Sequence, residues 1–177
     1  MTSTFTNKLQ NHVKDFHEAF NHPVSQSPKP MNLERAINRS IWTGEEIVEF
    51  IHASCTNIGE FEQAYNDFMQ GLSNAFDKSS KEEFIQDDVE RVVAQADALT
   101  DTDYFVKGSF VEIGVEAEPV FNIVQEANMS KLFTAEDGTK YAQYRDDGKI
   151  LKSPDFWTPE DKIKEEIQRQ INNSLIK

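Results

Sequence analysis

The sequence predicts an all-α protein, a helical bundle with a short turn-rich or hairpin segment before its C-terminal helix, and three observations predict it. Apolar residues recur at three- and four-residue spacing along nearly the whole of the 177 residues. With 38% apolar residues and 13 Phe the chain has the material for a packed core, which excludes a disordered polymer. The two Asp-Gly turn signals, Asp137-Gly138 and Asp147-Gly148, fall together in one late segment.

The first helix is written by Phe5, Leu9, Val13, Phe16 and Phe20, after which Pro23, Pro28 and Pro30 mark a stiff connection. The second runs from about Asn32 to Cys55, with Leu33, Ala36, Ile37, Ile41, Val48 and Ile51 as its core stripe. Gly44 sits inside it, either a place of close approach or a weak point. Ile58, Phe61, Tyr65, Phe68, Leu72 and Phe76 give a third helix. Ser80 and Glu83 have the spacing of a capping box for a fourth, which Val89, Val92, Val93, Ala96 and Leu99 carry toward Gly114. Pro119 sits at a plausible first helical position of a fifth, continued by Val120, Phe121, Ile123, Val124 and Ala127. Between Phe133 and Trp157 the period breaks, and Tyr141, Tyr144, Ile150 and Leu151 are expected to form a short hairpin or ordered loop. Thr158-Pro159-Glu160-Asp161 opens a last helix faced by Ile163, Ile167, Ile171 and Leu175. There is no internal repeat. One domain is expected, residues 1–132 forming the helical bundle and 133–177 the turn-rich segment and final helix attached to it.

Charge narrows the function. With 31 Asp or Glu against 18 Lys or Arg, the net charge of −13 argues against a protein that coats nucleic acid, which needs clustered cations. No apolar run can span a bilayer, and Met1-Thr2-Ser3-Thr4 lacks the basic and apolar regions of a leader, so a soluble, cytoplasmic protein is expected. The single cysteine, Cys55, rules out an internal disulfide and a thiolate metal cluster, and reads as a helix-packing residue.

The acids carry most of the chemical information. Glu45, Glu46 and Glu49 share one turn of the second helix, and at about 100° per residue Glu45 and Glu49 lie nearly above one another. Asp97 and Asp101 repeat that stacking on the fourth helix. Oxygen-only clusters of this kind repel themselves unless hard cations occupy them, and they suit Mg²⁺ or Mn²⁺, which points to phosphate chemistry. Composition alone yields such an acid string roughly once in a chain this acidic. What distinguishes Glu45–Glu49 is its flanks, because Ile41, Trp42, Ile47, Val48, Phe50 and Ile51 leave little room for a solvated face and predict partly buried carboxylates. On these residues alone, a cation site and a solvated helix face both stand.

Gly44-Glu45-Glu46-x-x-Glu49, then Asp97-Ala98-Leu99-Thr100-Asp101 with Tyr104-Phe105, then Glu126-Ala127-Asn128-Met129-Ser130-Lys131 together resemble the all-α nucleoside triphosphate pyrophosphohydrolases. These are the relatives of MazG, of the dimeric dUTPases and of phosphoribosyl-ATP pyrophosphohydrolase. The resemblance covers roughly residues 11–151, and the combination is far more specific than any piece of it. It implies a MazG-like bundle whose two acidic helices hold Mg²⁺ over a triphosphate, water attacking the α-phosphorus to release a monophosphate and pyrophosphate. Glu46, Glu49 and Asp101 are then the leading metal ligands, Asp97 the next, and Glu45 the candidate for orienting or deprotonating the water. The same resemblance implies a homodimer or homotetramer, and phosphoribosyl-ATP is the alternative substrate. A helical binding or regulatory protein without activity is the alternative from another class. Ala98 stands where the family usually has a Glu three residues before its Asp, and the polar pair Thr102 and Asp103 stands where apolar residues usually follow.

Asn128 and Lys131 share a face one turn apart, and similar residues in the family bind substrate; apart from the family, they would be an ordinary helix end with a cation at its negative pole. Arg35 and Arg39 are equally well read as ion-pair partners, and Arg145, Lys149 and Lys152 as cations that close over phosphates or as solvated charges. Glu49-Phe50-Ile51-His52 is a Glu-x-x-His string, but di-iron bundles need two and none of the other histidines provides a second, so His52 reads as structural.

Overall fold

A computed structural model of the chain describes residues 5–175; Met1–Thr4, on which the expectation of no leader rests, lie outside them. The described residues form six α-helices and one two-stranded antiparallel ribbon: α1 (Lys8–Ala19), α2 (Leu33–Ala53), α3 (Ile58–Ser79), α4 (Asp88–Glu112), α5 (Ala117–Met129), β1 (Phe133–Thr134), β2 (Lys140–Tyr141) and α6 (Glu160–Ser174). The fold is all-α and MazG-like, as expected. The chain divides into two compact units: one is Pro28–Ala98, the other is built from residues 5–27 and 99–175. The latter brings both ends of the chain together, which sequence adjacency does not foretell. No helix among the described residues is long and apolar enough to cross a membrane.

In the unit Pro28–Ala98, α2 and α3 pack as neighbours. Asn32 caps α2 by accepting the Arg35 N–H, and Asn57 caps α3 by accepting that of Glu60 at 3.0 Å. Glu60 reaches back to the Thr56 N–H at 2.7 Å, so two donors at the start of α3 are satisfied reciprocally. The third turn of α4 is fastened to the segment that leads into α2, Gln95 accepting from the Met31 N–H at 2.8 Å and donating to its carbonyl at 3.1 Å. The capping box expected at Ser80 and Glu83 does not form. Ser80 closes α3 instead, and Asp87 caps α4 by accepting the N–H groups of Val89 and Glu90. An Asp immediately before the helix satisfies two orphan donors without needing a partner three residues on.

The other unit holds all the fully buried residues among those described: Phe20, Ala127, Leu132 and Ser153. Phe20, only 1% exposed, stacks on Phe16 at 4.3 Å and ends α1, with Asn21 turning the chain through a left-handed φ of 52°. α1 packs on α5, joined by Gln125 Nε2 donating to the His12 carbonyl at 2.8 Å and by the Lys8–Glu118 ion pair. α5 packs on α6, where Gln170 both accepts the Glu116 N–H and donates to its carbonyl. The expected hairpin is present. Phe133 pairs with Tyr141 and Thr134 with Lys140, Tyr144 bridges Ile150, and both turns carry a glycine at positive φ, 85° at Gly138 and 80° at Gly148. The Tyr144 hydroxyl donates to the Phe20 carbonyl and ties this segment to the end of α1.

Candidate active site

Glu45, Glu46 and Glu49 lie on α2 with their side chains exposed, and Asp97 and Asp101 lie one turn apart on α4, also exposed. The expectation that flanking apolar residues bury the α2 acids is corrected. Ile41, Trp42 and Phe50 are themselves exposed, and only Ile47, Val48 and Ile51 are half-buried. The reason lies in packing: α3 covers one side of α2, and the Leu33, Ile37 and Ile41 face is left open, Leu33 being 75% exposed.

None of the five acids has an ion pair or hydrogen bond among the described residues, although acids elsewhere do: Glu18 with Lys14, Asp103 with Lys107, Asp147 with Arg145 and Glu166 with Arg169. Within Pro28–Ala98 no group of three or more His, Cys, Asp or Glu side chains converges as a metal-holding set. The donors are nonetheless of the right kind for Mg²⁺, since all are carboxylate oxygens and no basic side chain competes for them. Two cavities open on the same unit, of about 300 Å³ around Phe84, Arg91 and Gln95 and of about 240 Å³ between His52, Cys55 and Phe61; neither is lined by the acids.

Other sequence candidates resolve individually. Arg35 and Arg39 lie over the Trp42 ring, 5.1 and 5.9 Å from its centroid, and burial with the neighbouring Arg35 charge lowers the Arg39 pKa. His52 meets the Phe61 ring edge-on at 5.0 Å, and the Cys55 thiol donates to the Ile51 carbonyl, both packing roles.

Asn128 and Lys131 are brought together as their spacing requires. Lys131 Nζ donates to Asn128 Oδ1 at 2.6 Å, and the side chain is half-buried at the end of α5. Of the three cations in the turn-rich segment, Arg145 is paired with Asp147, Lys149 is exposed in its turn, and Lys152, also exposed, precedes the residue whose backbone is bonded to Lys131. Two serines, 130 and 153, place it there, and neither carries a sequence signal that links residues so far apart. Ser153, buried, donates its hydroxyl to the Ser130 carbonyl at 2.8 Å, while its N–H reaches the Lys131 carbonyl at 3.2 Å.

Known proteins place this arrangement in a class. The fold is that of the all-α nucleoside triphosphate pyrophosphohydrolases, hydrolases that act on acid anhydrides. The family model described as phosphoribosyl-ATP pyrophosphohydrolase matches residues 13–128, so the chain belongs to that family. It is also similar to a crystal structure from Exiguobacterium sp. 255-15, a provisionally named NTP pyrophosphohydrolase, with 42% identity and a TM-score of 0.88 over 95% of this chain and 98% of that one. No protein with a curated description matches the chain.

Proposed function

We propose that the chain is a Mg²⁺-dependent nucleotide pyrophosphohydrolase that cleaves the α–β phosphate bond of a nucleoside triphosphate, giving a monophosphate and pyrophosphate. The observation that carries the reading is a set of five unpaired carboxylates stacked at one-turn spacing on α2 and α4, inside the segment that matches the family. Mg²⁺, held by Glu46, Glu49, Asp97 and Asp101, with Mn²⁺ as substitute, would neutralise phosphate charge and ease deprotonation of water. Glu45, rotated about 100° from Glu46, accepts the proton of the attacking water as the bond to the bridging oxygen breaks. Lys131 and Asn128 hold the nucleotide's phosphates or sugar. The family description favours phosphoribosyl-ATP as the second reading, with the same bond broken and a different base pocket.

The active form in this reading is a homodimer or homotetramer. Support comes from the apolar faces left open in Pro28–Ala98, where Ile37, Ile58, Leu72, Phe76 and Val93 are all exposed and no described residue is fully buried. A second copy covering the α2 face would remove water from the neighbouring acids and strengthen their hold on cations. The single cysteine and the absence of any long apolar helix among the described residues fit the cytoplasm.

A pyrophosphate-release screen over canonical and modified nucleoside triphosphates and phosphoribosyl-ATP, with Mg²⁺ or Mn²⁺, tests the reading. Turnover should give monophosphate and pyrophosphate with no early diphosphate, and Glu49→Ala and Asp101→Asn should each lose it, by about a hundredfold or more for a lost ligand, together with metal-induced gain in Tm. A nucleoside diphosphate as main product overturns the bond assignment; metal binding without turnover on any nucleotide favours the non-catalytic alternative.

A further inference from the structure

The helix α2 has two unlike faces. At about 100° per residue, Leu33, Ile37, Val48 and Ile51 lie on one side, whereas Arg35, Arg39, Trp42, Glu46 and Glu49 form a stripe within about 40° of a single line on the other. That second stripe runs from cations through an indole to acids. Its middle is ordered: Arg35 and Arg39 set their guanidinium groups 5.1 and 5.9 Å from the Trp42 ring centroid, both reaching it from the turns that precede it. Attraction to the negative face of the ring holds the indole in place before any ligand arrives. The residue is nevertheless 42% exposed. A large ring fixed toward solvent forgoes both burial and rotational freedom, a cost that a flat ligand covering it would offset. Trp42 precedes Glu46 by one turn and Glu49 by two, rises of about 6 and 10 Å along the axis. All three stand on one unbroken helix, so backbone geometry alone fixes the spacing. A nucleotide whose phosphates meet cations at the two glutamates has the indole within reach of its other end, and that end is an aromatic ring system.

We infer that Trp42 is the stacking platform for the nucleobase, a specificity-determining residue that separates nucleotides from bare polyphosphates while discriminating weakly among bases. The inference rests on the pyrophosphohydrolase reading. Every base has a π-face, so a stack on indole rewards the presence of a base and tolerates its identity. Strong selection among bases would instead need polar groups that pair with the ring edge and are left unpaired by the wrong base.

Calorimetric titration of the full chain at fixed Mg²⁺ tests this, with inorganic triphosphate and with the α,β-methylene triphosphates of adenosine, guanosine, cytidine and uridine, which resist cleavage. Wild type is compared with Trp42→Leu, Trp42→Phe and Trp157→Phe. Trp42→Leu should weaken binding of the nucleotide analogues by about tenfold or more, the loss of one base stack, and leave inorganic triphosphate unchanged. Trp42→Phe should recover most of the difference. Nucleotide binding should quench the indole fluorescence of wild type and of Trp157→Phe, in which Trp42 is the sole tryptophan, but not that of Trp42→Phe. Equal losses for nucleotides and triphosphate in Trp42→Leu would make Trp42 a support of the metal site, and no loss for any analogue would make it a surface ring. Either result overturns the platform while the enzyme reading survives. A spread among the four analogues well beyond about a hundredfold in wild type would overturn the tolerance of base identity. If wild type binds none of these ligands and releases pyrophosphate from no nucleotide, the underlying reading fails and the platform with it.

Discussion

At the scale of single residues, two populations of carboxylate separate cleanly. Glu166 represents the first: Arg169 grips both its oxygens at 2.7 Å and Gln170 adds a third bond, so hydrogen bonding from Arg169 above all brings its pKa down to about 2. A carboxyl whose pKa is lower folded than unfolded contributes stability above its unfolded value and loses it as the pH falls through that value toward the folded one. Glu166→Gln should therefore lower Tm near neutral pH, with the gap to wild type closing between pH about 4.5 and about 2. Paired thermal melts across that window check it; a gap constant with pH would mean the pair contributes no charge-dependent stability. Glu45, Glu46, Glu49, Asp97 and Asp101 are the second population, with no protein partner among the described residues. Their placement on two helices at one-turn spacing was legible because it follows from helix geometry alone. Their exposure was not, since apolar flanks do not say which of them a neighbouring helix covers, and α3 leaves Ile41, Trp42 and Phe50 open.

At the scale of elements, the hairpin and helix ends were readable wherever the signal is local. Asp-Gly turns place glycine at positive φ, and Asn32 and Asn57 cap where they stand. The failure at Ser80 was also local, two competing caps lying within a few residues, and Asp87 prevailed because it directly precedes the apolar run. What no pattern announced is the joint between α5 and the segment after the ribbon. Ser153 → Ser130 is a hydrogen bond across 23 residues and an irregular loop. Removing it leaves the part-buried Ser130 carbonyl short of a partner and frees the Asp155 N–H, which bonds the Ser153 hydroxyl at 3.2 Å. Ser153→Ala should destabilise the protein by about 1–3 kcal/mol, seen as a lower urea midpoint with an unchanged slope. An unaltered midpoint would show that the joint is held by its backbone bonds alone.

At the scale of the whole molecule, the apolar faces of α2 and α3 remain to be accounted for. Leaving Leu33, Ile58 and Phe76 about 70% exposed or more is costly in water, and covering them with another copy is the simplest relief. Light scattering at micromolar concentration should give a mass of at least twice 20.3 kDa. Ile37→Glu and Phe76→Ser, both at positions already exposed within one chain, should shift the protein toward monomer and weaken divalent-ion binding in parallel. A monodisperse monomer for wild type would leave the acids without a covering subunit and refute the oligomeric site.

The division of the chain also imposes a schedule on its synthesis. Pro28–Ala98 is continuous in sequence, but α1 is completed by partners far downstream: Lys8 meets Glu118 across 110 residues, and Phe20 receives the Tyr144 hydroxyl across 124. At roughly 5–20 residues per second, α1 waits on the order of 5–20 s at the ribosome with its Phe16 and Phe20 face unclaimed. Of the six described helices α1 is thus the one whose packing waits longest on residues made after it, and its aromatic side stays open to water for that interval.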